Sequence, residues 1–476
     1  DFRQVMVPEL LLKDDALVTV DGNGDKNRVK TLVNGGFQYV HVNPGRLSQR
    51  PGEPSATDVL VADDAGTFQP FGLSAGAVKQ VWITAHVPTD AYQGDYIGKL
   101  TISSRGAPMR EVQFRLRVLP FDLAQPRLSY SLYYRAQLRR GSHDRNGGSE
   151  WRTVNQMTAD LEDMRAHGVN NPTMYQSSFD LAGVEDALRL RKGVSATGGG
   201  VPLFYLGMQT TESYFGTTES SSQNVLKGLL PKVSESARVF GYYPMYIYGR
   251  DEAAGPALEA QRHIWSLVHQ AGSRVFVAGS TGAFPLVGDL LDLFVHYGKP
   301  NAAEATQWHS QGKVIFNYAN PQSGPENPYL FRLNYGLMLW AHGYDGAMPY
   351  AYQHCFGSCW NDVDNEVYRD HMLTYPTASG VIPTLAWEGF REAVDDVRYV
   401  STLEMLLDDN HDSDRIDKRN AKAALDALRV YLRKVQAEAG LYNHDADVDL
   451  DSIRSTIQSY ITEITDKNRE LSAFVL

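Results

Sequence analysis

The chain has 476 residues, room for two or three domains, and its 43% hydrophobic and 21% charged residues are those of a globular protein with a large core. A net charge of -11 argues against a nucleic-acid binder, which needs a basic face for the phosphates. No apolar run approaches the ~20 residues of a membrane span. The two cysteines, Cys355 and Cys359, leave a local disulfide or two free thiols open and are too few for a metal site. An aromatic share of 11%, with 26 Tyr and 7 Trp, suits sugar-binding clefts and a large core equally. A start at Asp1 without Met fits a processed export protein, either secreted, periplasmic or at the cell surface.

Residues 1–125 read as an all-β domain. VWITAHVP (81–88), DYIGKLTISS (95–104) and EVQFRLRVLPF (111–121) alternate apolar and polar residues between turn signals, the pattern of a β-sandwich. DGNGD (21–25) resembles a calcium loop but lacks the closing glutamate, so it reads as a surface turn. After LAQP (123–126) the texture becomes strand and helix in alternation. The strand candidates are LSYSLYY (128–134), NPTMYQ (171–176), PLFYLGMQ (202–209), YPMYIYG (243–249), RVFVAGS (274–280), LDLFVHY (291–297), KVIFNYA (313–319) and GAMPYAY (346–352). Helical spacing separates most of them, as in TADLEDMRAHG (158–168) and ALEAQRHIWSLVHQAG (257–272). Eight alternations over ~250 residues predict a (β/α)8 TIM-like barrel over 126–383. No Gly-rich nucleotide fingerprint follows the first strand, which weighs against an open doubly wound sheet. Residues 384–476 read as C-terminal helices. The acidic DADVDLD (445–451) before the last of them reads as a helix N-terminus.

The chemistry gathers at YPMYIYGRDEAAGP (243–256), a buried strand ending in adjacent carboxylates, Asp251 and Glu252. Barrel enzymes place catalytic groups at the C-terminal ends of strands. Cleaving a glycosidic bond requires an acid for the leaving oxygen and a group that stabilises an oxocarbenium-like centre. Glu252 suits the first task. No carboxylate ends the sixth strand (VHYGKP, 295–300) or the seventh (FNYANP, 316–321), so no second protein nucleophile is evident there. A substrate 2-acetamido group fills that role in some glycosidases. Asp251 would then orient the amide and balance positive charge. Successive strand residues face opposite ways, so both carboxylates reach one pocket only if the strand ends or bulges at Asp251. The plain alternative is that both favour the dipole of the next helix. Strand-end positions also offer Tyr133, Arg135, Tyr175, Tyr248, His296, Tyr297, Asn317, Tyr318 and Tyr350 as substrate contacts, and Trp360 as a stacking platform. No cofactor motif is visible.

Four segments carry a family resemblance: W-x4-V-P with GDYIGKLTI (82–88, 94–102), DLEDMRAHGVN (160–170), YGRDE (248–252) and YPTASGVIPTLAWEGFREAVDDVRYVSTL (375–403). Together they resemble glycoside hydrolase family 123. The resemblance implies a β-N-acetylgalactosaminidase that retains configuration by substrate assistance, with Asp251 stabilising the oxazoline and Glu252 as acid/base. Its partner would be an oligosaccharide or glycoconjugate glycan. Two other readings stay open: a glycosidase of a non-acetamido sugar using a second carboxylate such as Asp362, or a glycan-binding protein without activity.

Overall fold

In the computed structural model the described residues are 10–474, except 22–25, 34, 43–60, 139–149, 195–198, 210–219, 325–326, 357–358, 361, 363–366, 409–414, 441–442 and 444–445. The chain divides into two compact units. One holds Asp1–Gly72, Arg127–Val397 and Leu428–Val448; the other holds Leu73–Pro126, Arg398–Ala427 and Asp449–Leu476. Among the described residues no helix is long and apolar enough to cross a membrane.

The first unit begins with an antiparallel sheet of β1 (Val18–Asp21), β2 (Lys26–Val33) and β3 (Gly36–Val42). The second unit carries a long hairpin of β4 (Gly94–Ser104) and β5 (Ala107–Val118). Among the described residues, 1–125 supply this three-stranded sheet and this hairpin, one in each unit. Residues 81–88 make no strand, and Ile97, Ile102, Val112 and Phe114 are exposed. Alternation prepares a segment for a sheet, but a strand exists only where a neighbour takes up its backbone hydrogen bonds. Within the second unit, Arg398 donates to Ala124 O at 3.2 Å, and Thr402 Oγ1 accepts from Ala124 N–H at 2.9 Å.

The centre of the first unit is a seven-stranded parallel sheet. Its strands are β6 (Ser129–Tyr130), β9 (Val201–Gln209), β10 (Tyr242–Tyr248), β11 (Arg274–Gly279), β12 (Leu293–Tyr297), β13 (Val314–Tyr318) and β14 (Gly346–Ala347). Between β6 and β9 lies a minor parallel pair, β7 (Gln137–Leu138) with β8 (Trp151–Arg152). The order β6-β14-β13-β12-β11-β10-β9 runs round a half-barrel, with helices such as Ser220–Val239, Arg262–Gln270 and Ala302–Ser310 as crossovers. Both faces of the central strands are buried, which is why they read as continuous apolar runs. Three of the eight expected strands are much shorter than their apolar pattern. Residues 171–176 form no regular ladder, with the bridge Met174–Tyr205 beside single backbone bonds to Leu132 and Phe204, and 346–352 are regular strand only over β14. Pro172 and Pro349 have no N–H to give a ladder.

The interior face of the half-barrel is aromatic. Tyr133, Phe204, Tyr246, Tyr248, Phe276, Phe316 and Tyr318 form one buried cluster, with Tyr175 and Tyr350 packed against it. On the helix side, the helix Leu385–Asp408 docks on the helix Val154–Ala166. Trp387, fully buried, donates its indole N–H to Asp163 Oδ2 at 2.8 Å and stacks on His167 at 4.5 Å. Gly168, at φ +84°, lets the chain pass Val394, whose Cγ1 would lie 2.7 Å from an added Cβ. Replacing Trp387 by Ala removes the largest side chain of this joint. We expect a loss of ~3–5 kcal/mol, read as a lower urea midpoint at constant slope.

Candidate active site

The site is built by the end of β10. Tyr246 and Tyr248 point into the half-barrel, and the ladder stops at Tyr248. Gly249 follows because no side chain fits there: an added Cβ would lie 2.9 Å from Trp265 Cζ2 and 3.1 Å from Val277 Cβ. Two hydrogen bonds hold the turn to β11, from Gly249 N–H to Phe276 O at 2.8 Å and from Glu252 N–H to Ala278 O at 3.1 Å. Glu252 has φ +48°, a left-handed conformation that costs a non-glycine residue about 1–2 kcal/mol. The alternation that would separate Asp251 from Glu252 has therefore ended before either residue. Both keep solvent-accessible surface.

Each carboxylate meets a tyrosine of the interior face. Tyr248 donates to Asp251 Oδ1 at 2.5 Å, and Tyr318, from the end of β13, donates to Glu252 Oε1. Tyr133 donates to the Tyr248 hydroxyl at 3.4 Å, and its ring packs on Tyr248, Tyr318 and Tyr350. Burial, reinforced by the neighbouring carboxylate, pushes the Tyr318 hydroxyl well above its ordinary range, so it stays protonated as a donor. Burial also raises the Asp251 carboxyl; the bond from Tyr248 pulls it down, and the charge of Glu252 pushes it up. We expect Tyr318→Phe to lower the turnover number roughly 10- to 100-fold with little change in fold, since a hydrogen bond to a charged group is worth about 1.5–3 kcal/mol. Steady-state kinetics beside circular dichroism would check it.

The structure sorts the remaining sequence candidates. Arg135 donates to the Tyr350 hydroxyl at 3.1 Å, pairs with Glu150 at 2.7 Å and lies over the Tyr175 ring. Tyr297 packs against Tyr318 at 5.5 Å and is 43% exposed. These share the interior face with the two carboxylates. His296 and Asn317 do not. Each is offset by one residue from the interior positions Val295, Phe316 and Tyr318, so each faces the helix layer. His296 bonds the Thr281 and Tyr344 hydroxyls at 3.0 and 2.7 Å, and burial lowers its imidazole to about 4. Asn317 donates to His296 O and Gly298 O at 3.0 and 2.7 Å. Trp360 is held elsewhere: its indole N–H donates to Pro376 O at 3.1 Å, and its ring packs on Tyr375 in the core under the N-terminal sheet.

Four neighbours escaped the sequence reading. Glu150 partners Arg135, and His354 Nδ1 bonds the Tyr350 hydroxyl at 2.8 Å. His371 lies opposite His354, in the pair of β15 (Gln353–His354) and β16 (His371–Met372). Phe356 follows His354, with ring centroids 4.2 Å apart. Only the histidines carried a signal, as polar residues flanking an apolar run. Cys355 and Cys359 are joined as a disulfide beside them. Asp362 accepts from Tyr375 at 2.8 Å and from Arg369 at 2.9 Å; Asp364 and Glu366 lie outside the described residues. Among the described residues no group of three His, Cys, Asp or Glu could hold a metal ion.

The half-barrel brings carboxylates and tyrosines together at its C-terminal strand ends, the edge on which parallel α/β barrels carry their sites. More particularly, it is similar in fold to a family 123 glycoside hydrolase from Clostridium perfringens, studied for glycolipid glycan hydrolysis. The TM-score is 0.51 and the identity 12%, over 82% of this chain and 78% of that one. A sialic acid aldolase from Ruminococcus gnavus (10% identity, 72% and 99% covered) and an N-acetylneuraminate lyase from Mycoplasma synoviae (9%, 72% and 98%) align at a TM-score of 0.30. No family model and no curated protein matches the sequence.

Proposed function

We propose that this chain is a retaining glycoside hydrolase that releases terminal β-linked N-acetylgalactosamine by substrate assistance. One observation carries the reading: Asp251 and Glu252 stand together beyond the end of β10, each bound by a different interior tyrosine. Glu252 protonates the glycosidic oxygen as the acetamido carbonyl oxygen attacks the anomeric carbon. The bond to the aglycone breaks and an oxazolinium forms. Asp251 accepts the amide N–H and balances its charge. Glu252 then takes a proton from the water that opens the ring, giving product with retained configuration. The fold likeness to a glycoside hydrolase supports the class. We also take the sheet as a (β/α)8 barrel closed through residues 171–176. Thr173 N–H donates to Leu132 O at 2.9 Å and Met174 N–H to Phe204 O at 2.9 Å, which joins the first strand segment to β9.

The alternative with Asp362 as the second carboxylate is weaker, because Tyr375 and Arg369 already occupy its oxygens. A panel of 4-nitrophenyl glycosides decides between the readings. Release only from β-acetamido sugars, with strong inhibition by a thiazoline that mimics the oxazoline, is the expected result. Release from a plain β-galactoside without thiazoline inhibition would discard the acetamido mechanism. Binding without any release would discard the hydrolase.

A further inference from the structure

The opposite edge of the sheet holds a charge of the other sign. Asn171 and Pro172 open the segment that bridges to β9, and Tyr242 opens β10, so this is the N-terminal end of the strands. A cleft of about 290 Å³ lies there, with Arg165, Asn170, Arg191 and Tyr242 in its wall and no acidic residue lining it. Arg191 comes from the last turn of the helix Leu181–Val194 and is only 6% exposed. Its guanidinium lies over the Tyr242 ring at 5.5 Å. Nη1 donates to Thr173 O at 3.1 Å, and Nη2 to Pro172 O at 2.6 Å and Asn171 Oδ1 at 3.4 Å. Nε is buried and has no partner among the described residues. All three acceptors are neutral. They solvate the guanidinium without cancelling its charge, whereas a buried charge is ordinarily paired. Other arginines of low exposure follow that rule: Arg152 holds Asp160 at 2.9 Å, Arg332 holds Asp396 at 2.7 Å, and Arg391 holds Glu388 at 2.8 Å. Among the described residues no carboxylate reaches Arg191, and the adjoining residues 195–198, Ser-Ala-Thr-Gly, contain none. A second guanidinium shares the cleft. Arg165, exposed in the last turn of the helix Val154–Ala166, gives one N–H to Val194 O at 3.0 Å. Asn170 adds an exposed amide.

We propose that this cleft binds a small oxyanion, phosphate or sulfate, either free or as the terminal group of an ester. Arg165 and Arg191 supply the charge, and Asn170 supplies a further donor. Guanidiniums suit this task because their planar forks match the oxygens of such groups in pairs. The site lies at the strand ends remote from Asp251 and Glu252, so it stands or falls independently of the hydrolase reading. The probes are inorganic phosphate, inorganic sulfate and glycerol 1-phosphate, titrated into the full chain by calorimetry at fixed ionic strength, with chloride as the control. Saturable binding to a single site is expected, and Tm should climb as the ligand concentration passes Kd. Arg165→Ala changes an exposed residue, so the fold should survive, and binding should weaken about tenfold, as for a lost charge-assisted hydrogen bond. Arg165→Glu should abolish binding. Circular dichroism confirms that both variants are folded. Tighter binding of glycerol 1-phosphate than of phosphate assigns the site to an ester, and the reverse order assigns it to the free ion. No saturable binding beyond that of chloride overturns the proposal, as does equal binding by the parent and the two Arg165 variants.

Discussion

Glu252→Gln should leave the fold intact and cut hydrolysis of an unactivated glycan by about 10³-fold, within the range that general acid–base catalysis supplies. Gln keeps the size and the backbone demands of Glu, so the left-handed turn and its bond to Ala278 survive. What it loses is the transferable proton. The loss should depend on the leaving group. An alkoxide must be protonated as it departs, whereas 4-nitrophenolate leaves unaided. With the nitrophenyl substrate the first step should run nearly normally, while opening of the oxazolinium, which needs Glu252 as base, becomes slow. Rapid-mixing kinetics should then show a burst of nitrophenolate followed by a slow steady state. A variant as active as the parent on the glycan would remove Glu252 from the mechanism.

Asp251→Asn should cost about 10²–10³ in turnover, because the developing oxazolinium loses a preorganised counter-charge. Its pH behaviour is more diagnostic. Asp251 must be ionised to balance that charge, and burial places its carboxyl above the usual range. The parent should therefore lose activity on acidification at a higher pH than an ordinary aspartate would dictate. Tyr248→Phe removes the bond that lowers this pKa, so the acid limb should move further up. Stability changes in the opposite sense to activity. With the folded pKa raised, the native state holds this proton more tightly than the unfolded chain does. Stability is thus lost as pH rises from the unfolded value of ~3.9 through the folded one. Asp251→Asn should raise Tm at neutral pH and lose that advantage below pH ~4. A variant that is both less active and less stable at neutral pH would contradict this account.

Much of the half-barrel was legible in the sequence, because parallel strands buried on both faces must be written as apolar runs, and β10 to β13 are. The adjacent carboxylates were legible for the same reason: charge placed straight after such a run lands at the edge of the sheet. Which strand-end residues face the carboxylates was harder to read. His296 and Asn317 sit at the right height with the wrong parity, and parity depends on ladder register, which only the neighbouring strands fix. Trp360 follows the Cys355–Cys359 disulfide, a pairing no local pattern encodes. Alternation over 81–88 records readiness to pair and not the presence of a partner, and no strand forms there. The C-terminal signature (375–403) serves architecture: Trp387 and Glu388 meet His167, and Asp396 pairs with Arg332 at 2.7 Å.

The positive φ at Glu252 makes this position a ready point for engineering. Asn and Gly adopt that conformation more easily than Glu does. Either substitution would relax the turn while removing the transferable proton, leaving Asp251 and the interior tyrosines in place. On the proposed reading the product is a lectin-like reagent, a protein that grips its glycan and leaves it uncut.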